Sequence, residues 1–152
     1  MEAVYLFLNI KKPGLNNEWN TGITTFLKEL PSIDEVMVIE QNESSNAQIN
    51  ISYDIQKVTL DEIELLFKKS GATITDINIH FPSGISGTSD PYGSSAISIT
   101  LEKNLKSIAG VLGSGISAGG IIKVTLAPEL ENKQTAIDKI LKTISSLRSG
   151  EL

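Results

Sequence analysis

Hydrophobic residues in the first half of the chain follow two different periods. Apolar residues occupy every second position in 3–10, the pattern of a half-buried β-strand. Two further strands are predicted at 35–40 and 47–54, on either side of a polar hairpin loop. Apolar residues at three- and four-residue spacing predict one helix that begins at Asn16 or Asn17 and another that follows the capping-box sequence Thr59–Glu62. The predicted order is strand, helix, strand, strand, helix.

The second half of the chain follows the same order. A strand with alternating apolar residues is predicted at 75–81, and a loop rich in Gly, Ser and Pro follows at 82–93. Segment 96–101 fits either a strand or a helix, because its apolar residues satisfy both spacings. The remaining strands are predicted at 111–118 and 121–127, and Asn132 is predicted to cap the last helix.

The two halves also share a weak sequence repeat. Leu30–Val36 and Leu105–Val111 match at four of seven positions with a shift of 75 residues, and apolar positions elsewhere match at shifts of 73 to 75. A repeat of this length corresponds to a supersecondary unit. We therefore predict two βαββα repeats, 1–73 and 74–152. The alignment also favours a helix at 96–101, because this segment matches the first helix of the first repeat.

The number of strands predicts how the repeats combine. Two complete ferredoxin-like domains would need eight strands, whereas the chain has six predicted strands and four predicted helices. In that fold the fourth strand lies antiparallel beside the first. We predict that the first strand of each repeat takes the fourth-strand place in the other. The result is an α+β fold with one six-stranded antiparallel sheet, strand order 2-3-1-1′-3′-2′, and four helices on one face.

The opposite face of such a sheet is uncovered, and its outward positions include large apolar residues. Tyr5, Phe7, Met37 and Ile39 are expected there. Large apolar groups are costly to leave in water, so we predict that these residues form a homodimer or protein-partner surface. Two alternatives stay open: the inward and outward assignments are inverted, or the loop at 85–92 folds over these residues.

Leu101–Val111 contains a predicted helix end followed by a strand start, and Val58–Ile63 contains a predicted helix start. These segments resemble the first-helix and second-helix motifs of heavy-metal-associated (HMA) domains. The resemblance extends in diluted form across nearly the whole chain, and it implies a ferredoxin-like, HMA-like fold. The motifs that carry it are mostly packing positions.

The HMA resemblance does not extend to the residues that bind metal in that family. HMA domains carry a Met-x-Cys-x-x-Cys segment whose two thiolates bind copper(I), zinc or similar ions. The matching positions are Trp19 and Gly22 in the first repeat, and Ser94 and Ile97 in the second. Neither pair can replace two thiolates, so no metal site is predicted.

Composition excludes several other classes of function. The 152 residues include no cysteine and one histidine, which excludes thiolate catalysis, zinc fingers and iron–sulfur ligation. Thirteen basic and 18 acidic residues give a net charge of −5, which argues against nucleic-acid binding. No cofactor is expected. The chain has no signal-peptide pattern and no apolar run of about 20 residues, so a cytoplasmic location without membrane contact is expected.

A few polar residues are weaker candidates for ligand binding. Asp90, Tyr92, Ser94 and Ser95 lie in the loop and helix start where the HMA family binds its ion, and a helix start can bind a small anion. His80 can serve as a ligand, a base or a pH-sensitive contact, although an ordinary exposed strand histidine is more common. No Ser-His-Asp order or paired-carboxylate motif stands out, so no catalytic residue is predicted.

These observations favour a non-enzymatic binding module with an HMA-like fold, which acts in self-association or in contact with another protein. The alternative is a small-molecule sensor that resembles paired ACT-type regulatory domains, which also join ferredoxin-like units. An enzyme of the acylphosphatase type is less favoured, because that chemistry would use an Arg in the first strand–helix loop and none is present there.

Overall fold

The structure of the protein is a computed structural model that describes residues 3–13, 17–30, 33–40, 46–55, 57–82, 93–116 and 121–148. Within these ranges the chain forms six strands and four helices. In chain order they are β1 (Ala3–Lys11), α1 (Asn17–Lys28), β2 (Ile33–Glu40), β3 (Asn46–Asp54), α2 (Leu60–Lys69), β4 (Thr73–Pro82), α3 (Gly93–Lys106), β5 (Val111–Ile116), β6 (Ile121–Leu126) and α4 (Lys133–Arg148). Every strand and helix predicted from the sequence is present within a few residues of its predicted ends.

The six strands form one antiparallel sheet in the order β2-β3-β1-β4-β6-β5. This is the predicted order, because β4, β5 and β6 are the first, second and third strands of the second repeat. The α+β fold with a shared six-stranded sheet is therefore confirmed. The segment 96–101, which fitted two spacings, lies within α3.

The chain divides into two compact units, Met1–Asn78 (unit 1) and Ile79–Leu152 (unit 2), and the boundary falls inside β4. Compact units are defined by packing, whereas the predicted repeats 1–73 and 74–152 are defined by sequence similarity. The repeat boundaries therefore stay a prediction.

The core of unit 1 is built from the inward positions of its strands and from the apolar faces of α1 and α2. Leu6 and Leu8 of β1 are fully buried, as their period-2 pattern predicts. Helix α1 contacts β2 and α2, and it buries Ile23 and Leu27. Phe26 shares the same helical spacing but is exposed. It precedes Leu27 by one residue, about 100° round the helix, and so lies at the edge of the apolar stripe.

Helix α2 begins at the predicted capping box. The Glu62 backbone N–H donates to Thr59 Oγ1 at 3.1 Å, and the Thr59 backbone N–H donates to Glu62 Oε2 at 3.2 Å. Gly71 follows the helix with φ +87°, in the left-handed region that favours glycine. The predicted start of α2 is confirmed, and the helix ends just before Gly71.

Unit 2 buries the alternate positions of β6 and one face of α4. Helix α3 packs against β5 and α4. Strand β6 buries Ile122, Val124 and Leu126. Asn132 Oδ1 accepts a hydrogen bond from the Thr135 backbone N–H at 3.1 Å, so the predicted cap of α4 is confirmed.

A glycine connects α3 to β5 at a crowded position. Gly110 has φ +94°, and its carbonyl oxygen accepts a hydrogen bond from the Ala127 backbone N–H at 2.8 Å. The Leu130 side chain lies directly over Gly110, where it would overlap with any added Cβ. Both the backbone conformation and the packing therefore require glycine here.

Candidate functional site

The outward-facing residues of β1, β2 and β3 form a regular surface on unit 1. The strand register pairs them in three rows that cross all three strands and a fourth row on β3 and β1. The rows are Glu35–Ser52–Tyr5, Met37–Asn50–Phe7, Ile39–Gln48–Asn9 and Asn46–Lys11. These eleven residues are named the β1–β3 face. The pair Ala3–Asp54, beyond the first row, is left out of the face because Asp54 is buried.

Large apolar side chains lie on the two outer strands of the β1–β3 face, with Tyr5 and Phe7 on β1 and Met37 and Ile39 on β2. Met37 is 57% exposed, Tyr5 47% and Ile39 42%, while Phe7 is half-buried. The inward and outward assignment predicted from the sequence therefore agrees with the exposure of these four residues. Their role as an interface stays a prediction.

A β-bulge determines which residues of β2 face outward. The register of β2 on β3 shifts between Ile33 and Glu35, so Asp34 is an extra residue in the strand. One extra residue moves every following side chain to the opposite face of the sheet. Met37 and Ile39 point outward because of this shift.

A groove of about 160 Å³ lies over Ser52, which is the smallest residue of the β1–β3 face. Tyr5 and Glu35 flank Ser52 in its row, and the next row supplies the remaining side-chain walls, Met37, Asn50 and Phe7. We name this depression the Ser52 groove. Small-molecule sites usually exceed about 300 Å³, so the volume suits a single inserted side chain better than a whole ligand.

The β1–β3 face carries one acidic and one basic residue, at opposite ends. Glu35 lies in the first row and Lys11 in the fourth. Adjacent rows are two residues apart along a strand, so the three steps from the first row to the fourth span six residues, or about 20 Å. The net charge of these eleven residues is zero, although the chain carries −5. At the β4 side of the face, Asp76 accepts a hydrogen bond from Asn9 Nδ2 at 3.3 Å.

The middle strand of the face supplies amides and a hydroxyl. Gln48 Nε2 donates to Asn50 Oδ1 at 2.8 Å, which orients both side chains along β3. The eleven residues include no histidine, and Glu35 is their one carboxylate. The face can offer apolar packing, hydrogen bonds and one charge of each sign.

Trp19 and Gly22 match the HMA metal motif, and Trp19 has a structural role instead. Trp19 Nε1 donates to the Ser70 carbonyl oxygen at 3.2 Å, and its ring lies 6.3 Å from the Phe67 ring at 43°. Gly22 has no neighbouring atom within 4 Å of where a Cβ would lie. Trp19 thus joins α1 to the end of α2. Among the described residues there is no group of three His, Cys, Asp or Glu that could hold a metal ion.

The predicted anion site lies largely outside the described residues. Asp90 and Tyr92 lie in 83–92, which is outside the described residues. The loop at 85–92, which could fold over the sheet, lies in the same range. Ser94 and Ser95 belong to the first turn of α3, but their side chains are not described. An anion site at these four residues stays a prediction.

His80 lies on β4 as predicted and is half-buried. Burial lowers the pKa of its imidazole from the ordinary value of 6.5, and the positive charge of Lys123 lowers this pKa further. Both effects favour the neutral ring at neutral pH. A neutral imidazole can donate one hydrogen bond and accept another, so His80 is suited to a polar contact.

Two open grooves that sequence reasoning did not predict lie among the described residues of unit 2. Each has a volume of about 570 Å³, and they share Ala109 and Lys139. One lies at the start of α4 beside Glu129 and Glu131, and the other runs between α3 and α4 beside Lys142.

Sequence reasoning predicted four of the eleven residues of the β1–β3 face, and three of the others, Glu35, Ser52 and Lys11, determine its charge and shape. Glu35 and Ser52 become neighbours through the bulge in β2, which leaves no clear signal in the sequence. Lys11 had a signal, because it continues the outward positions Tyr5 and Phe7 of β1. The predicted strand ended at residue 10, one residue short of the observed end.

Comparisons with solved structures find several distant similarities. The soluble region of the P-type ATPase CopA from Bacillus subtilis has a TM-score of 0.45 and 16% identity, covering 97% of this chain and 88% of that chain. The N-terminal extension of CzcP from Cupriavidus metallidurans has a TM-score of 0.38 and 18% identity, covering 92% and 95%. The regulatory subunit of aspartate kinase from Thermus thermophilus has a TM-score of 0.36 and 13% identity, covering 95% and 92%. Similarity at this level assigns none of their ligands to this chain.

No protein-family model matches the sequence, and no curated protein matches it. Among the described residues, no helix has both the length and the apolar character needed to cross a bilayer.

Proposed function

We propose that this chain is a non-enzymatic protein-binding module that associates with a second copy of itself through the β1–β3 face. The observation that carries the proposal is the composition of this face. The face carries three exposed apolar side chains, Tyr5, Met37 and Ile39, together with one acidic residue in its first row and one basic residue in its last. Groups of exposed large apolar side chains often mark interaction sites in soluble proteins.

Charge favours a second copy as the occupant of the face. Two chains of net charge −5 repel each other over most of their surfaces. The β1–β3 face has a net charge of zero, so two such faces can meet without that repulsion. Opposite charges at its two ends also allow the face to complement itself.

The expected affinity is modest. Stable interfaces usually involve about 20–30 residues on each side, whereas this face has eleven. A dissociation constant in the micromolar range or weaker is therefore expected. Light scattering and sedimentation over a wide range of protein concentrations should show a monomer–dimer equilibrium. A monomer at the highest concentration, with Tyr5 accessible to solvent, would contradict the proposal.

Substitution of the most exposed apolar residue tests where the contact lies. Met37→Lys is expected to weaken dimerisation at least about tenfold, because it places a charge in the middle of an apolar contact. The change should leave the free energy of unfolding within about 0.5 kcal/mol, since Met37 is exposed in the monomer. Sedimentation measures the first effect and urea unfolding the second. The matched control is Leu65→Lys, an exposed leucine on α2 that should not alter dimerisation.

Small-molecule sensing is a second candidate, favoured by the two grooves of unit 2. Their volumes of about 570 Å³ lie within the range of about 300–1,000 Å³ found for ligand sites. A thermal-shift screen over amino acids, nucleotides and metal ions tests this candidate. A stabilising ligand whose effect is lost in Lys139→Ala would support it, whereas a screen without any shift would count against it.

A further inference from the structure

We infer that, in the proposed dimer, Lys11 of the second copy inserts into the Ser52 groove and pairs with Glu35. The pairing is two-fold symmetric, so Lys11 of the first copy enters the groove of the second in the same way. This inference rests on the proposed function and adds the registry of the two faces and the residues that determine it.

The row positions of the two charges lead to this registry. In a symmetric dimer the two faces can be related by a two-fold axis that lies between them, in the plane of the interface and perpendicular to the strands. Such an axis reverses the order of the rows in the second copy. If the axis passes between the second and third rows, the first row of each copy faces the fourth row of the other. The same axis keeps the order of the strands, so Lys11 of the second copy lies over Tyr5, one strand spacing of about 5 Å from Ser52 and two from Glu35. The lysine side chain therefore reaches across to the Ser52 groove, where its ammonium group meets the Glu35 carboxylate, at both ends of the interface. The rows of Met37 and Ile39 meet at the centre.

The Ser52 groove has the shape and chemistry for a lysine side chain. Its volume of about 160 Å³ accepts one side chain, and Tyr5, Phe7 and Met37 provide apolar walls for the methylene groups. The Glu35 carboxylate and the Ser52 hydroxyl provide acceptors for the ammonium group. The rings of Tyr5 and Phe7 also attract a cation.

Covering Glu35 without a cation would oppose dimerisation. In the described part of the chain, Glu35 has no ion-pair partner, and neither has Lys11. A carboxylate that loses water on association needs a paired charge or several hydrogen bonds. A registry that covers Glu35 without Lys11 of the second copy beside it would leave this carboxylate covered and unpaired.

Charge reversal at both positions tests the inference. Glu35→Lys and Lys11→Glu should each weaken dimerisation at least about tenfold, because each places like charges together at both ends. The double variant restores opposite charges and should dimerise within about threefold of the unsubstituted chain. Glu129→Lys and Lys142→Glu are matched controls for net charge on exposed residues of unit 2, and they should show no comparable loss.

Chemical cross-linking provides a second measurement that needs no variant. A carbodiimide joins a carboxylate and an amine in direct contact as an amide, with loss of water. Glu35 and Lys11 of one chain are about 20 Å apart, so a Glu35–Lys11 cross-link found by mass spectrometry must join two copies. A dimer without this cross-link, whose affinity is unchanged by either reversal, would overturn the inference and leave the proposed function standing. A monomer throughout would overturn the proposed function itself.

Discussion

Phe67→Ala is expected to lower the free energy of unfolding by about 3–5 kcal/mol. Phe67 is fully buried on α2 and lies against the indole of Trp19. Truncation to alanine removes the buried apolar area of the ring and leaves a cavity that its neighbours fill only in part. Trp19 loses its ring contact at the same time, which weakens the join between α1 and α2. Domains of this size are commonly stable by about 5–15 kcal/mol, so the loss is a large part of the total.

Urea unfolding followed by fluorescence measures this effect directly. Trp19 is the single tryptophan of the chain, so its emission reports on the contact that the substitution removes. The control is Leu65→Ala on the same helix, where the side chain is 49% exposed. The control should cost about 0.5 kcal/mol or less. Equal losses for the two variants would contradict the burial of Phe67.

Gly110→Ala is expected to lower the free energy of unfolding by about 2–5 kcal/mol. A φ of +94° costs an L-residue about 1–2 kcal/mol. The new Cβ also overlaps with the Leu130 side chain, which must move away, and such overpacking costs about 1–3 kcal/mol. Thermal or urea unfolding measures the total.

Two further variants separate the backbone cost from the packing cost. Gly71→Ala meets a similar φ of +87°, but the nearest atom to its Cβ is Pro13 Cβ at 3.4 Å, so only the backbone cost of about 1–2 kcal/mol is expected. In a Leu130→Ala background, Gly110→Ala should cost no more than Gly71→Ala does. If Gly110→Ala lowers the free energy of unfolding as much in the Leu130→Ala background as in the unsubstituted chain, the packing explanation is wrong.

The fold could be predicted from the sequence because its signals are local. The alternation in β1 and the capping box at Thr59 each identify an element from neighbouring residues, and both are confirmed. The strand order followed from counting, since six strands fit two ferredoxin-like units when each lends a strand to the other. Phe26 shows the limit of spacing as a signal, because its spacing predicts that it shares the apolar face of α1 with Ile23 and Leu27, and this prediction is wrong: its side chain is exposed.

The candidate site was less predictable because it depends on register between strands. The apolar residues Tyr5 and Met37 were placed correctly on the outward face. The groove between them requires Glu35 to lie beside Ser52, and a bulge places it there. Bulges follow from pairing between distant segments, so a pattern within one strand does not reveal them.

The bulge at Asp34 also bears on how surfaces of this kind arise in evolution. Because side chains alternate with a period of two, pairing of the same residues with β3 without the bulge would turn Val36 and Val38 outward and Met37 and Ile39 inward. The hydrophobic content of the strand would be unchanged. A substitution that removes or creates the bulge can therefore replace the whole outward set of β2 in one event, whereas a substitution on the face itself alters one member. Two such chains could keep every hydrophobic residue of β2 and still present different residues to a partner.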